Sequence, residues 1–291
     1  MSSASGDHDL LWHRTVPDLR DPILIAAFEG WNDAGDAATM AARQLAERFD
    51  ATPLVDIDPE RYFDFSTTRP IVRLDDDRQR SITWPENQLL AARVPAAARD
   101  VVILVGLEPQ LQWRRFCRQV LGVAEAIQAS TIVTLGALLA DVPHTRPVQV
   151  FGAAEDPALQ TQLDLAPSSY EGPTGIVGAL TTQAAEAGFP TATFWASVPS
   201  YVPGAPSPKA ALALVHHVCE VVGTTVFVTD LEIAAASYER QVDELVAEDD
   251  ETADYVHDLE AAWDADDEID ELDDDPELLV AEVEEFLRDV D

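Results

Sequence analysis

Short apolar runs and longer runs of helical spacing alternate through the first two thirds of this chain. Pro22–Phe28 (PILIAAF) is a short apolar run ending at Glu29-Gly30, the form of a buried strand closed by a turn. Ala34–Phe49 then puts Ala38, Ala41, Ala42, Leu45 and Phe49 on one helical face, with Asp33 as a fitting N-cap. Pro53–Ile57 reads as a second strand. A β-α-β opening of this kind predicts a parallel sheet covered by helices.

Between Arg61 and Val94 the pattern breaks into short runs, Ile71–Leu74, Ser81–Trp84 and Gln88–Val94, separated by polar turns. These predict antiparallel strands or a hairpin excursion. Val101–Leu107 (VVILVGL) is continuously apolar and β-branched, as a central parallel strand buried on both faces should be. Leu111–Gln128 is helical, and Thr131–Leu135 is another buried strand. Val148–Phe151 offers one more. Pro173–Ala187 reads as a helix opened by the Gly172-Pro173-Thr174-Gly175 turn. Thr191–Ser197 is a strand, and Pro208–Val222 a helix after a proline-rich loop.

From Asp230 the character changes. Leu231, Ala235, Tyr238, Val242 and Leu245 recur at spacings of four and three, one apolar stripe on an acidic helix. Tyr255, Leu259 and Trp263 continue a second amphipathic segment, Asp264–Asp275 reads as an acidic linker, and Leu279, Val283, Phe286 and Val290 mark a third after Pro276. The stripes are too short for a coiled coil, so each must bury its face on the chain's own core or on a partner. The expected division is an α/β core over residues 1–229 and an acidic helical extension over 230–291.

Charge sharpens that division. Of 54 acidic residues, 24 lie in residues 241–291 with Arg288 as the single base there, a net of −23 out of −36. A surface of this sign repels phosphate backbones and anionic membranes, because both bind through Lys and Arg. Halophilic adaptation would spread the acid over the whole surface, whereas here it gathers at one end. Hydrophobic residues make up 47% of 291, ample for a core. Cys117 and Cys219 are too few for a disulfide framework and are expected as reduced, buried thiols. No signal-peptide pattern and no membrane-length apolar run is present, so a cytoplasmic protein is expected.

Searches for signatures of chemistry return little. G-x-G-x-x-G, P-loop, G-x-S-x-G, H-E-x-x-H and C-x-x-C are all absent. Asp264, Asp266, Glu268 and Asp270 alternate as in a Ca²⁺ loop, but Ile269 stands where Gly is required and Asp275 where a bidentate Glu is expected. No catalytic residue, metal site or cofactor is therefore assigned. Four loops at the ends of strands remain as a candidate ligand pocket. The first holds Glu29, Trp31 and Asp33, in which Asp33 is equally a helix cap. Glu108 and Trp113 follow the strongest strand, where Glu108 is an acid, a base or half of a salt bridge. His144 and Arg146 could hold an anion, or be structural. Glu171 and Thr174 precede a helix whose free N–H groups could receive an anion.

At these loops the sequence resembles the proteasome assembly chaperone 2 family, in its bacterial, chiefly actinobacterial branch. The matching segments are FEGWNDAGDAA (Phe28–Ala38), GLEPQLQWRRF (Gly106–Phe116), LGALLADVPHTRPV (Leu135–Val148), SYEGPTGIVGAL (Ser169–Leu180) and WASVPSYVPGAPSPKAALALV (Trp195–Val215). They run in order over about Pro22 to Trp263.

The resemblance implies a three-layer α/β/α sandwich with a mostly parallel sheet, similar to nucleoside phosphorylases and hydrolases, followed by a helical segment. It also implies a homo-oligomer, with a trimer one arrangement open to bacterial members, and a protein partner related to the proteasome. Some archaeal relatives carry a hydrophobic-Tyr-any tail that docks on the proteasome, whereas this chain ends Phe286-Leu287-Arg288-Asp289-Val290-Asp291. The leading expectation is an oligomeric, non-catalytic, chaperone-like protein that binds other proteins and neither nucleic acid nor membrane. The alternative is an enzyme or small-ligand binder, whose crevice would need Glu29, Asp33, Glu108, His144, Arg146 and Glu171 converging and unengaged.

Overall fold

The computed structural model describes residues 9–74 and 78–274. Ten strands occur among them: β1 (Leu10–Trp12), β2 (Ile23–Glu29), β3 (Thr52–Ile57), β4 (Ile71–Leu74), β5 (Arg80–Thr83), β6 (Asn87–Ala92), β7 (Val101–Leu107), β8 (Thr131–Ala140), β9 (Val150–Ala154) and β10 (Thr191–Pro199). The helices are α1 (Ala37–Arg48), α2 (Trp113–Ala126), α3 (Pro157–Leu163), α4 (Ile176–Glu186), α5 (Pro208–Val222), α6 (Thr229–Val246) and α7 (Asp250–Asp274). Eight strands form one sheet in the order β1-β3-β6-β7-β2-β8-β10-β9.

The centre of that sheet follows from continuous apolar runs. Ile23 to Phe28 and Val101 to Leu104 have no exposed surface. Because side chains alternate along a strand, Ile23, Ile25 and Ala27 enter one core with α1 and α5. Leu24, Ala26 and Phe28 enter another with α2 and α4. Each large side chain so buried contributes about 1.5–3 kcal/mol. The result is the expected α/β/α sandwich. Its parallel pairs, β7-β2, β2-β8 and β8-β10, are confined to the centre, and the flanking pairs are antiparallel, so the sheet is mixed.

Three placements differ from the sequence pattern. The second strand of the expected β-α-β opening, β3, does not pair with β2 but pairs antiparallel with β1 and β6, because β6 and β7 come between it and β2. The run expected as part of a hairpin excursion, Gln88–Val94, supplies β6, which enters the main sheet between β3 and β7. Asn87, Leu89 and Ala91 turn inward, and seating between two strands outweighs the local hairpin signal. Only β4 and β5 form a separate ribbon. The helix α3 was not foreseen, although Asp156-Pro157 marks it: the Asp156 carboxylate accepts from the N–H groups of Ala158 and Leu159, both at 3.0 Å.

The acidic extension begins with α6, whose Leu231, Ala235, Tyr238 and Val242 are buried as the helix packs along α5. Four members of the stripe therefore bury on the chain's own core, while Leu245 stays exposed. α7 packs on α6, with Val256 as its buried residue. Residues 264–274, expected as a linker, are helical. No Gly or Pro interrupts residues 250–274, and helix formers such as Ala, Glu and Leu recur there, so nothing in the backbone stops the helix. A continuous helix also cannot wrap a cation as a Ca²⁺ loop does. The third amphipathic segment and the terminal hexapeptide lie outside the described residues.

Candidate functional site

The four predicted loops all stand at the carboxyl ends of the parallel strands, or lead into the helix that follows. At the end of β2, Gly30 takes φ +130°, a conformation side chains rarely adopt, and Glu108 lies against it. This turn lets Asn32 fold inward, where it is 1% exposed. Glu108, just after β7, accepts through Oε1 from Asn32 Nδ2 and from the Ile176 backbone N–H, both at 2.9 Å. Gly175 before α4 leaves room for the Asn32 amide, since a Cβ there would come within 2.2 Å of it. The end of β2, the end of β7 and the start of α4 thus meet at one carboxylate, which fills the position an external anion would take.

Asp33 is 5% exposed and caps α1 from four residues before its first residue, beyond the N-cap position Asp36. Its carboxylate accepts from Ala38 N–H at 2.7 Å, Thr39 N–H at 3.3 Å and the Thr39 hydroxyl at 2.5 Å. Burial pushes its carboxyl up to about 6, against the pull of those donors. Glu29 pairs with Arg43 on the surface of α1. Trp113 donates its indole N–H to the Pro109 carbonyl. Trp31 projects into solvent at 67% exposure. Glu171 and Thr174 are also exposed, and Glu171 makes no ion pair among the described residues.

The loop after β8 belongs to a second node. His144 is 3% exposed. Its Nδ1 lies 2.7 Å from the Tyr201 hydroxyl and its Nε2 lies 2.9 Å from Asp243 of α6. Arg146 forms a two-pronged bond to Asp264 of α7, at 2.6 and 2.7 Å. Lys209, at the start of α5, donates to the carbonyls of His144 and Arg146 at 2.6 and 2.8 Å. These contacts tie the acidic extension to the sandwich. Hydrogen bonding of the buried ring and the fork geometry of Arg146 both fit a structural latch.

Sequence reasoning placed the loops but passed over Asn32, Tyr201, Lys209, Asp243 and Asp264. Asn32 and Tyr201 lay inside quoted motifs, and Lys209 is the only lysine of the chain. Asp243 is one member of an acidic series with nothing to mark it, and Asp264 drew notice only as the first position of a Ca²⁺ loop that the sequence does not complete. A shallow surface depression of about 370 Å³ beside α1 is lined by Glu29, Arg43 and Pro206, and includes no other predicted residue. Cys117 and Cys219 are buried, and burial pushes their thiols up to about 12 and about 11. Among the described residues no group of His, Cys, Asp or Glu is arranged to hold a metal ion, and no helix is long and apolar enough to cross a membrane.

The model of the PAC2 family matches residues 27–246. The Mycobacterium tuberculosis proteasome-assembly chaperone homologue is 46% identical with a TM-score of 0.73, over 80% of this chain and 99% of its own. A PAC2 family protein from Streptomyces avermitilis is 41% identical with a TM-score of 0.74, over 81% and 100%. The archaeal proteasome activator PbaB of Pyrococcus furiosus shares the fold, with a TM-score of 0.64 at 17% identity over 81% and 97%. No curated protein matches the chain.

Proposed function

The chain belongs to the PAC2 family, and from that premise we propose that it is an oligomeric, non-catalytic, chaperone-like protein that binds other proteins in proteasome assembly. The observation that carries this reading is the internal engagement of the groups at the carboxyl ends of the strands. Glu108 is held by Asn32 and Ile176, His144 by Tyr201 and Asp243, and Arg146 by Asp264. An enzyme or small-ligand binder would need such groups free and facing a cavity. The fold itself hosts both kinds of protein, so the site has to decide. A cytoplasmic location fits this role.

The relatives favour the proteasome as the setting: one is a proteasome-assembly chaperone homologue. The test mixes the full chain with separated proteasome α and β subunits of its own host and follows ring formation by native mass spectrometry. Binding to a subunit and faster accumulation of half-assembled particles is the expected result. Neither binding nor a change in assembly rate would overturn the proteasome-related role.

A further inference from the structure

The helix α7 is fastened to the sandwich by polar bonds more than by apolar burial. Among residues 250–265 Val256 alone is buried, with Leu259 and Trp263 half-buried beside it. Glu260 and Asp264 follow Val256 at spacings of four, so the stripe that faces the body carries carboxylates in two of three positions. Both reach one loop, residues 141–147 after β8. Glu260 accepts from the Thr145 hydroxyl, and Asp264 takes the fork of Arg146 at 2.6 and 2.7 Å. Just beyond β10, Tyr201 meets the Tyr255 ring edge-on, with centroids 6.1 Å apart. The hydroxyls of Ser200 and Tyr255 hold the Asp141 carboxyl below its ordinary range. α7 therefore lies against the ends of β8 and β10, joined to α6 through residues 247–249.

These anchors work against a repulsion. α7 holds 13 acidic residues and no Lys or Arg, a net of −13, which leaves −23 of the chain's −36 on the remainder. Asp250, Asp254 and Asp258 recur four apart, all exposed and in no ion pair among the described residues. Like charges at that spacing oppose the helix itself. Its last turn carries Glu271, Asp273 and Asp274, which oppose the helix dipole.

The two forces differ in reach, and reach decides the response to salt. Charges are felt over about 30 Å at 0.01 M salt but only about 8 Å at 0.15 M. At low salt α7 is repelled by acids across the whole molecule, and at higher salt only by its neighbours. The anchors act at hydrogen-bond distance, well inside either length. Added salt thus removes the opening force faster than the closing one.

We propose that α7 is a strap over the ends of β8 and β10, held shut by Glu260 and Asp264 on the 141–147 loop and driven open by charge repulsion when ionic strength falls. Opening uncovers Tyr201 and frees the Arg146 fork. α6 stays seated through its buried stripe and the His144–Asp243 bond. The strap does not depend on the proteasome-related role.

Amide hydrogen exchange of the full chain at fixed pH, from about 10 mM to about 300 mM NaCl, tests it. In wild type α7 is expected to exchange at least about tenfold faster at the low end, with β2 and β7 unchanged. D254N/D258N/E271Q/D273N/D274N keeps both anchors, relieves the repulsion and should at least halve that ratio. E260A/D264A should leave α7 open at both ends of the series. If the fivefold variant aggregates, the wild-type series and the anchor variant still decide. Protection of α7 that ignores salt, or that falls as salt rises, overturns the strap. So does an α7 that stays protected in E260A/D264A. If β2 and β7 follow the same salt dependence, the whole chain responds and the strap is overturned as well.

Discussion

Glu108 Oε1 lies 2.9 Å from the backbone nitrogen of Ile176, so a carboxylate from the end of β7 sits on the N-terminus of α4. The first turn of a helix presents N–H groups without intrahelical acceptors and about half a positive charge. In many α/β proteins that site receives a ligand's phosphate. Here the chain supplies the anion itself, and Asn32 holds it in place.

Removing that carboxylate should destabilise the protein. Glu108→Ala leaves the Ile176 N–H and the Asn32 amide without their acceptor, at a cost of about 1–3 kcal/mol. Glu108→Gln retains an acceptor oxygen and should lose less. Urea unfolding measures both, and an unchanged midpoint for Glu108→Ala would mean that the carboxylate does not hold the helix end.

Gly175→Ala tests the same junction from the other side. A Cβ at this position falls 2.2 Å from the Asn32 amide nitrogen, which must then move and loosen its bond to Glu108. Overpacking of this kind costs about 1–3 kcal/mol. In combination with Glu108→Ala the loss should be less than the sum, because both act on one network.

Asp33 should make stability fall as pH rises through the weakly acidic range. Burial pushes its folded carboxyl up to about 6 from 3.8. The folded state then binds the proton more tightly than the unfolded one. The stabilisation is complete below about pH 4 and is lost as pH rises through about 6. Two units correspond to at most about 3 kcal/mol. Asp33→Asn lacks this titration, so the stability difference between wild type and variant should shrink steadily from pH 4 to pH 6.5 in urea unfolding. A constant difference across that range would refute the assignment.

Arg146→Ala should release α7 while leaving the core intact. Both partners of the Arg146–Asp264 pair are partly exposed, so solvent screening should keep the global loss small. Locally the effect should be large. Amide exchange in α7 is expected to rise severalfold, with the protection of β2 and β7 unchanged. His144→Ala, which removes a buried ring bonded at both nitrogens, should add a fall in global stability of about 1–3 kcal/mol.

The legible part of the fold was its continuous apolar runs. Pro22–Phe28 and Val101–Leu107 were recognisable as buried strands because burial on both faces admits no polar residue. β6 was less so. Asn87–Ala92 has no turn signal that tells a hairpin partner from a strand of the main sheet, and only pairing with β3 and β7 settles it. The candidate loops were found from their place after strands, and Glu108, His144 and Arg146 do lie at junctions. Their bonding partners were not legible, since Ile176, Asp243 and Asp264 lie 68, 99 and 118 residues away along the chain.

By itself the sequence determined the layers, the acidic C-terminal character and the family, because each is written in local periodicity, composition or contiguous motifs. Tertiary structure decided which charged groups neutralise one another and which apolar stripes are spent. The stripe of α6 called for either the chain's own core or a partner, and Leu231, Ala235, Tyr238 and Val242 are buried as the helix packs on α5, while the β4–β5 ribbon is left exposed. The reason is physical. An amphipathic pattern states that a face must be buried, but what buries it depends on contacts distant in the chain, which spacing does not encode.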